Sequence, residues 1–197
     1  MTIAKEKGFA VYVGWAGLLR GWALFEQGGG AEAIAEIRKG IDASRATGAD
    51  LLVPYWLALL AGACSRNGQA EEGLAAITEA LAEIDRTGER FWEAELHRLK
   101  GQLLLQNNAS KEAEAEACFR SAIEIAQSQA AKSWELRGAT SLARLWRDQG
   151  NPDEARDLLA EIYGWFTEGF DTLDLVAAKA LLDELSGKAL PSATAVA

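Results

Sequence analysis

The segment GWALFEQGGGAEAIAEIRKG, residues 21–40, contains a pattern that occurs four times in the chain. Each copy starts with a small residue, has a turn residue seven positions later, and continues with Glu, a small residue and a large apolar residue. The copies begin at Gly21, Ala61, Gly101 and Ala143, so the period is 40, 40 and 42 residues. A fixed period of this size is typical of helical repeats, which bury their apolar faces by stacking on neighbours.

The composition agrees with a helical array. The chain has 197 residues, of which 49% are hydrophobic and 25% charged, and it contains only three prolines. We predict an all-α fold in which four helix–turn–helix units and a capping helix form one domain, residues 1–186, followed by a flexible tail, residues 187–197. The units span residues 9–47, 50–87, 90–128 and 132–168, and the capping helix spans residues 172–186.

The net charge of −9 argues against binding to nucleic acid or to a membrane surface, because both require a positive field. Residues 9–25 are apolar apart from Arg20, but a bilayer span needs about 20 residues and a central Arg costs roughly 2.5–3.5 kcal/mol. The N-terminus shows no signal-peptide pattern. Cys64 and Cys118 are expected to be buried, reduced thiols in the cytoplasm.

The sequence offers little evidence for a catalytic or metal site. His97 lies one helical turn after Glu93, but a metal site needs three or four ligands. The triple glycine at residues 28–30 follows no strand and precedes no Lys-Ser/Thr pair, so we interpret it as an interhelical turn and not as a phosphate loop. We therefore expect no enzymatic activity, no cofactor and no metal.

The pattern of a small residue, Gly seven positions later and Glu-Ala soon after resembles the tetratricopeptide repeat. That resemblance implies a right-handed helical solenoid. The period is longer than that of the family, which is about 34 residues. The family also has an apolar residue just before the anchor, where units one and three of this chain have Arg20 and Lys100. An array of the HEAT or armadillo type, with its period of about 40–47 residues, remains the alternative.

Longer segments of the sequence show a more specific resemblance. Residues 88–105 (GERFWEAELHRLKGQLLL), 115–126 (AEACFRSAIEIA) and 141–175 resemble the C-terminal repeat region of bacterial signalling proteins in which a class III adenylate/guanylate cyclase domain and an AAA-type ATPase domain precede the repeats. The resemblance implies a regulatory segment. It transfers no catalytic residue, because this sequence has neither the nucleotide phosphate loop nor the metal-binding carboxylate pair of those domains.

The first helix of each unit carries an apolar stripe that we predict to face the core. In unit one this stripe is Tyr12, Ala16, Leu19 and Ala23. The rest of that helix is also apolar, which predicts self-association through it; the alternative is that residues 1–8 fold over it.

The stripe next to the core stripe is predicted to line a concave groove. The residues selected as partner-binding are Trp15, Leu18, Trp22, Phe25, Tyr55, Glu95, Arg98, Gln102, Arg137, Thr140, Arg144 and Arg147. The groove would be aromatic at one end and basic at the other, which suits a protein or peptide with an apolar anchor and carboxylates. Two alternatives stay open: the arginines pair with Glu135, Asp148 or the capping helix, or the groove senses a small molecule or peptide.

Overall fold

The computed structural model describes residues 9–48 and 51–187. Over these residues the protein is entirely helical: nine α-helices and one 3₁₀ helix (Ala109–Lys111), with no β-strand. The all-α prediction is thus confirmed for this part of the chain. The helices are α1 (Ala10–Glu26), α2 (Gly30–Arg45), α3 (Val53–Arg66), α4 (Ala70–Thr87), α5 (Glu93–Asn107), α6 (Glu112–Ser128), α7 (Lys132–Asp148), α8 (Pro152–Tyr163) and α9 (Leu173–Leu185).

Short turns join the two helices of each pair. Gly28, Gly68 and Gly150 have φ values of 90°, 73° and 85°, a left-handed conformation that glycine adopts at low cost. The third pair has Asn108 at this position, and its side chain accepts a hydrogen bond of 2.9 Å from the backbone N–H of Ser110. The 3₁₀ helix that follows accounts for the longer repeat spacing there.

Packing follows chain order. Each helix contacts the next one, and α1, α3, α5 and α7 also contact one another in sequence. We call these four helices the first-helix row. Helix α9 packs on both α7 and α8 and extends that row. Apolar side chains between the row and the other helices form the core, which includes Leu18, Leu57, Leu96 and Leu142.

The small anchor residues lie where paired helices cross closely. A Cβ placed on Gly21 would lie 2.8 Å from Ile37 N, and one on Gly101 would lie 2.5 Å from Phe119 Cε1. Both distances are shorter than a van der Waals contact, so only glycine fits between these helices. The repeated small residue is therefore a packing requirement.

Helix α1 corrects the predicted stripe. Tyr12 and Leu19, expected in the core, are 56% and 52% exposed, whereas Leu18 is fully buried. In unit three, Leu99 and Leu103 occupy the positions of Leu19 and Ala23, and they pack on unit two. A Cβ on Gly62 would lie 4.0 Å from the Leu99 side chain, and one on Gly73 would lie 2.7 Å from the Leu103 side chain. No unit precedes α1 within the described ranges, so its stripe lacks this partner.

The predicted tail from residue 188 onward, and residues 1–8 that were considered as a cover for α1, lie outside the described residues. Of the helices in residues 9–48 and 51–187, none combines the length and the apolar character needed to cross a bilayer.

Candidate functional site

The first-helix row carries one equivalent position in each unit, six residues before the anchor. Units one and two have Trp15 and Tyr55 there, and units three and four have Glu95 and Arg137. Because the four helices contact one another in order, this position traces a line along the row. The line changes from aromatic to ionic at its midpoint.

A series of ring contacts starts in the aromatic half and continues into units three and four. Trp15 and Trp56 have ring centroids 6.2 Å apart, and Tyr55 stacks on Trp92 at 4.4 Å. Trp92 in turn contacts Trp134 at 5.0 Å. These contacts cross every boundary between successive units, and aromatic pairs at such distances are favourable beyond the area they bury. The sequence pattern did not predict this connection between units.

Several residues predicted for the aromatic end are only partly available. Leu18 lies in the core and does not belong to the surface. Trp22 and Phe25 are half-buried, stack on each other at 5.9 Å, and are covered by the Arg66 guanidinium at 5.1 and 4.4 Å from their centroids. Trp15 is half-buried against the same core. Tyr55 keeps partial exposure, and burial raises the pKa of its phenol.

The ionic half begins with a buried network. Arg98 donates two hydrogen bonds of 2.7 Å to Glu95, and Arg137 Nη2 lies 2.8 Å from Glu95 Oε1. Arg137 also stacks on the Trp134 ring at 5.1 Å and approaches Asp174 on α9 at 3.7 Å. Glu95 therefore joins α5 to α7 and holds two arginines in place.

Next to this network lies a cavity of about 160 Å³ between α5, α7 and α9. Arginines from two helices converge on it, together with one carboxylate from the capping helix. Its lining residues are Arg98, Arg137, Thr140, Ser141, Arg144, Asp174 and Ala177. We call this cavity the arginine pocket. Sequence reasoning found four of these residues and missed Ser141, Asp174 and Ala177, the last two because α9 was interpreted only as a cap.

Two hydroxyls of the pocket are already engaged. Thr140 Oγ1 donates to Leu136 O at 2.7 Å, and Ser141 Oγ donates to Arg137 O at 3.0 Å, so both side chains satisfy their own helix. Thr140 is buried and Gln102 is half-buried. Of the predicted residues in this half, Arg98, Arg137 and Arg144 are thus the donors that line the pocket.

The arginines differ in their partners. Arg147 bonds Asp148 and lies 3.1 Å from Glu184 on α9, and its hydrogen bond to Asp148 is the main cause that raises its pKa. Arg144 has no carboxylate within ion-pair distance among the residues the structure describes. Desolvation of its guanidinium, reinforced by the charges of Arg147 and Arg98, lowers its pKa.

The predicted pairing of the arginines with Glu135, Asp148 or the cap is therefore partly correct. Arg147 does pair with Asp148 and α9, and Arg137 uses Glu95 and Asp174 in place of Glu135. Glu135 instead pairs with Lys132 at 2.6 Å. Arg144 remains a cation without a partner carboxylate in the described part of the chain.

The other candidate groups show no reactive setting. Burial is the leading cause that raises the pKa values of Cys64 and Cys118 and that lowers the pKa of His97. Cys118 is half-buried, not fully buried as expected. In the described ranges no three His, Cys, Asp or Glu side chains group as metal ligands would. A second cavity, about 380 Å³ and open, lies at the α3–α4 turn and is lined by Glu71 and Glu72.

Comparison with known proteins gives one distant relative. An uncharacterized protein of Rhizobium meliloti (strain 1021) is 33% identical to this chain over 142 residues, which are 72% of the chain. Those residues make up 14% of the relative, so the chain matches a small part of a much longer protein. No family model matches the chain.

Proposed function

We propose that the chain is a non-enzymatic protein-interaction module that binds a segment of a partner protein along its first-helix row. In this proposal the helix pairs form a right-handed solenoid of the tetratricopeptide type, and the row lines its concave side. The sequential contacts of α1, α3, α5 and α7 support this geometry. The observation that carries the function is the change along the row from partly exposed aromatic rings to the arginine pocket.

The size of the pocket favours a protein ligand over a free metabolite. Pockets for drug-sized ligands usually measure about 300–1,000 Å³. The arginine pocket measures about 160 Å³, which suits one acidic group of a larger ligand. An extended peptide could place an acidic side chain there and an apolar side chain near Tyr55, whose ring remains partly exposed.

We also propose that the module acts in the cytoplasm as part of a larger bacterial signalling protein. The strings that resemble cyclase–ATPase proteins support this, as does the match to a short part of a long Rhizobium protein. Coding sequence for a cyclase or ATPase domain in frame with the repeats would support the proposal. A genomic context that encodes only enzymes unrelated to signalling would contradict it.

Selection of peptides from a random display library on the immobilised protein tests the binding role. We expect enriched peptides that combine an aromatic or aliphatic residue with an acidic one. Titration of the best peptide should show at least about tenfold weaker binding to Arg144→Glu/Arg147→Glu, since hydrogen bonds to charged groups contribute about 1.5–3 kcal/mol. The control Lys39→Glu/Arg156→Glu makes the same charge change on α2 and α8. Equal affinities for both variants would reject a role of the arginine pocket in peptide binding, and failure to enrich any peptide would reject the protein-binding role itself.

The alternative is a sensor of small molecules or short peptides that uses the same row. The larger open cavity at the α3–α4 turn is within the usual volume range, but acidic residues line it. A thermal-shift screen against metabolites separates the two functions. A ligand at 100 times its Kd would add about 2.7 kcal/mol to the free energy of unfolding, which is an easily measured rise in Tm.

A further inference from the structure

Three guanidinium groups surround the arginine pocket from two directions. Arg137 and Arg144 are seven residues apart and therefore lie on one face of α7, two helical turns from each other. Arg98 projects from the neighbouring helix α5 and is buried. Arg98, which lines the pocket, is thus held in place by its buried pair with Glu95, while Arg144 is exposed.

The charges around this pocket do not balance. Glu95 forms ion pairs with both Arg98 and Arg137, and Asp174 approaches Arg137 no closer than 3.7 Å. Two carboxylates therefore face three guanidinium groups, and Arg144 is the one left without a partner in the described residues. The charges of Arg147 and Arg98 repel it, while Glu184 attracts it from beyond ion-pair distance. A partly desolvated cation in this position is stabilised by a bound anion.

We infer that the arginine pocket binds a single carboxylate, with Arg144 as its main contact and Arg137 as the second. This deepens the proposed function, on which it rests, by naming the chemical group that the basic end of the row recognises. The group can be an Asp or Glu side chain or the C-terminal carboxylate of a partner protein. Guanidinium groups bind carboxylates through paired, charge-assisted hydrogen bonds.

Charge and volume favour a carboxylate over a phosphate. One uncompensated positive charge is neutralised by a monoanion, whereas a dianionic phosphate would leave an excess negative charge beside Glu95 and Asp174. The cavity of about 160 Å³ holds roughly five water molecules at about 30 Å³ each, which matches a short acidic side chain. Thr140 and Ser141 already donate their hydroxyl hydrogens to their own helix, so the pocket offers few neutral donors for extra phosphate oxygens.

Asp174 competes for the same arginines. Its carboxylate is about half-exposed and approaches Arg137 only loosely, at 3.7 Å. An incoming carboxylate must share Arg137 with it. Replacing Asp174 by Asn removes this competing charge while keeping the side-chain shape, so the variant Asp174→Asn should bind carboxylates more tightly than the wild type.

The test uses the whole chain and follows the side-chain Nε–Hε signals of arginine by ¹⁵N NMR. The probes are sodium acetate and N-acetylglutamate, with sodium phosphate and sodium chloride at matched ionic strength. The Arg144 signal is assigned by its loss in Arg144→Gln. We expect a saturable shift of the Arg144 signal with both carboxylates. For the remaining pocket signals we expect about tenfold weaker binding in Arg144→Gln, an affinity gain of about threefold in Asp174→Asn, and no change in the control Arg156→Gln.

Three results would overturn the inference: tighter binding of phosphate than of carboxylates, shifts no larger than those caused by chloride, or unchanged affinity in Arg144→Gln. Each of these results rejects the carboxylate site and can be told apart from a failure of the proposed function. Loss of the carboxylate site alone would leave peptide binding through the aromatic half intact. Saturable carboxylate binding without any peptide ligand would support the site and reject the protein-binding role.

Discussion

Glu95 and Arg98 form a buried, two-bond ion pair within one turn of α5. Both hydrogen bonds measure 2.7 Å, and the two side chains are 5% and 9% exposed. The Glu95 carboxylate also contacts Arg137 on α7, so it neutralises positive charge from two units at once. Removing one member of a buried pair leaves the other charge uncompensated, which costs more than the pair itself contributes.

We therefore expect Glu95→Gln to lower the free energy of unfolding by roughly 3–5 kcal/mol, measured by chemical denaturation. The double variant Glu95→Gln/Arg98→Met should recover part of this loss, because it no longer buries an unpaired Arg98. A double variant less stable than Glu95→Gln would show that Arg98 without Glu95 is not a destabilising buried charge.

Two glycines in the first-helix row should respond in opposite directions to alanine. A Cβ on Gly101 would lie 2.5 Å from the Phe119 ring. Among the described residues outside its own helix backbone, a Cβ on Gly62 would meet only Leu99 Cδ2, at 4.0 Å. We expect Gly101→Ala to destabilise by about 1–3 kcal/mol through overpacking, and Gly101→Leu by more. Gly62→Ala should stabilise by up to about 1 kcal/mol, since alanine favours a helix interior. Denaturation midpoints that move in the same direction would contradict this packing.

His97 should make stability fall in mildly acidic solution. Burial is the main cause that lowers its pKa from 6.5, assisted by Lys100 and Arg90 and opposed by Glu93. The unfolded chain then binds the proton more tightly, so the neutral form stabilises the fold fully above about pH 6.5. This stability is lost as the pH falls from there towards the lower pKa of the folded state. Unfolding free energies between pH 7.5 and 5 should decline less steeply in His97→Gln than in the wild type.

The exposed stripe of α1 should cause self-association, as the sequence predicted, but through other residues. Tyr12 and Leu19 are exposed, while Trp15, Leu18, Trp22 and Phe25 pack inward. A second copy that presents the same stripe gives a symmetric dimer. We expect sedimentation at micromolar concentration to show a dimer that Tyr12→Lys/Leu19→Lys converts to monomer. The control Leu173→Lys changes a residue at the opposite end of the array that is 87% exposed in the wild type, and it should leave the dimer intact. Loss of the dimer in this control would indicate head-to-tail contact instead.

The two thiols should be slow nucleophiles. Cys64 is fully buried and Cys118 half-buried, and burial is the first cause that raises the pKa of each. Because the thiolate is the reactive form, iodoacetamide at pH 7.5 should modify the native protein slowly, Cys118 before Cys64, and both rapidly after unfolding. Native Cys64 reacting as fast as free cysteine would contradict its burial.

The repeat period predicted the helices well because it depends on local features. Turn glycines and small anchors restrict the backbone wherever they occur, and Gly28, Gly101 and Gly150 occupy the expected turn or crossing. The face of α1 was mispredicted because Tyr12 and Leu19 are as apolar as true core residues. Their exposure arises because no unit packs on that face of α1 within residues 9–48 and 51–187, which the pattern of one helix cannot reveal. Asp174 was missed for a similar reason: its role arises only when α9 packs on α7.

The ring contacts from Trp15 to Trp134 have a consequence for how the molecule unfolds. Each of these ring contacts joins two successive units, so it couples those units instead of stabilising one unit alone. In repeat arrays such coupling determines whether units melt together or separately. The rings lie 4.4 and 5.0 Å apart at the second and third boundaries but 6.2 Å apart at the first. We therefore expect units two to four to unfold as one cooperative block, and partial opening of the native state to begin at the α1–α2 hairpin.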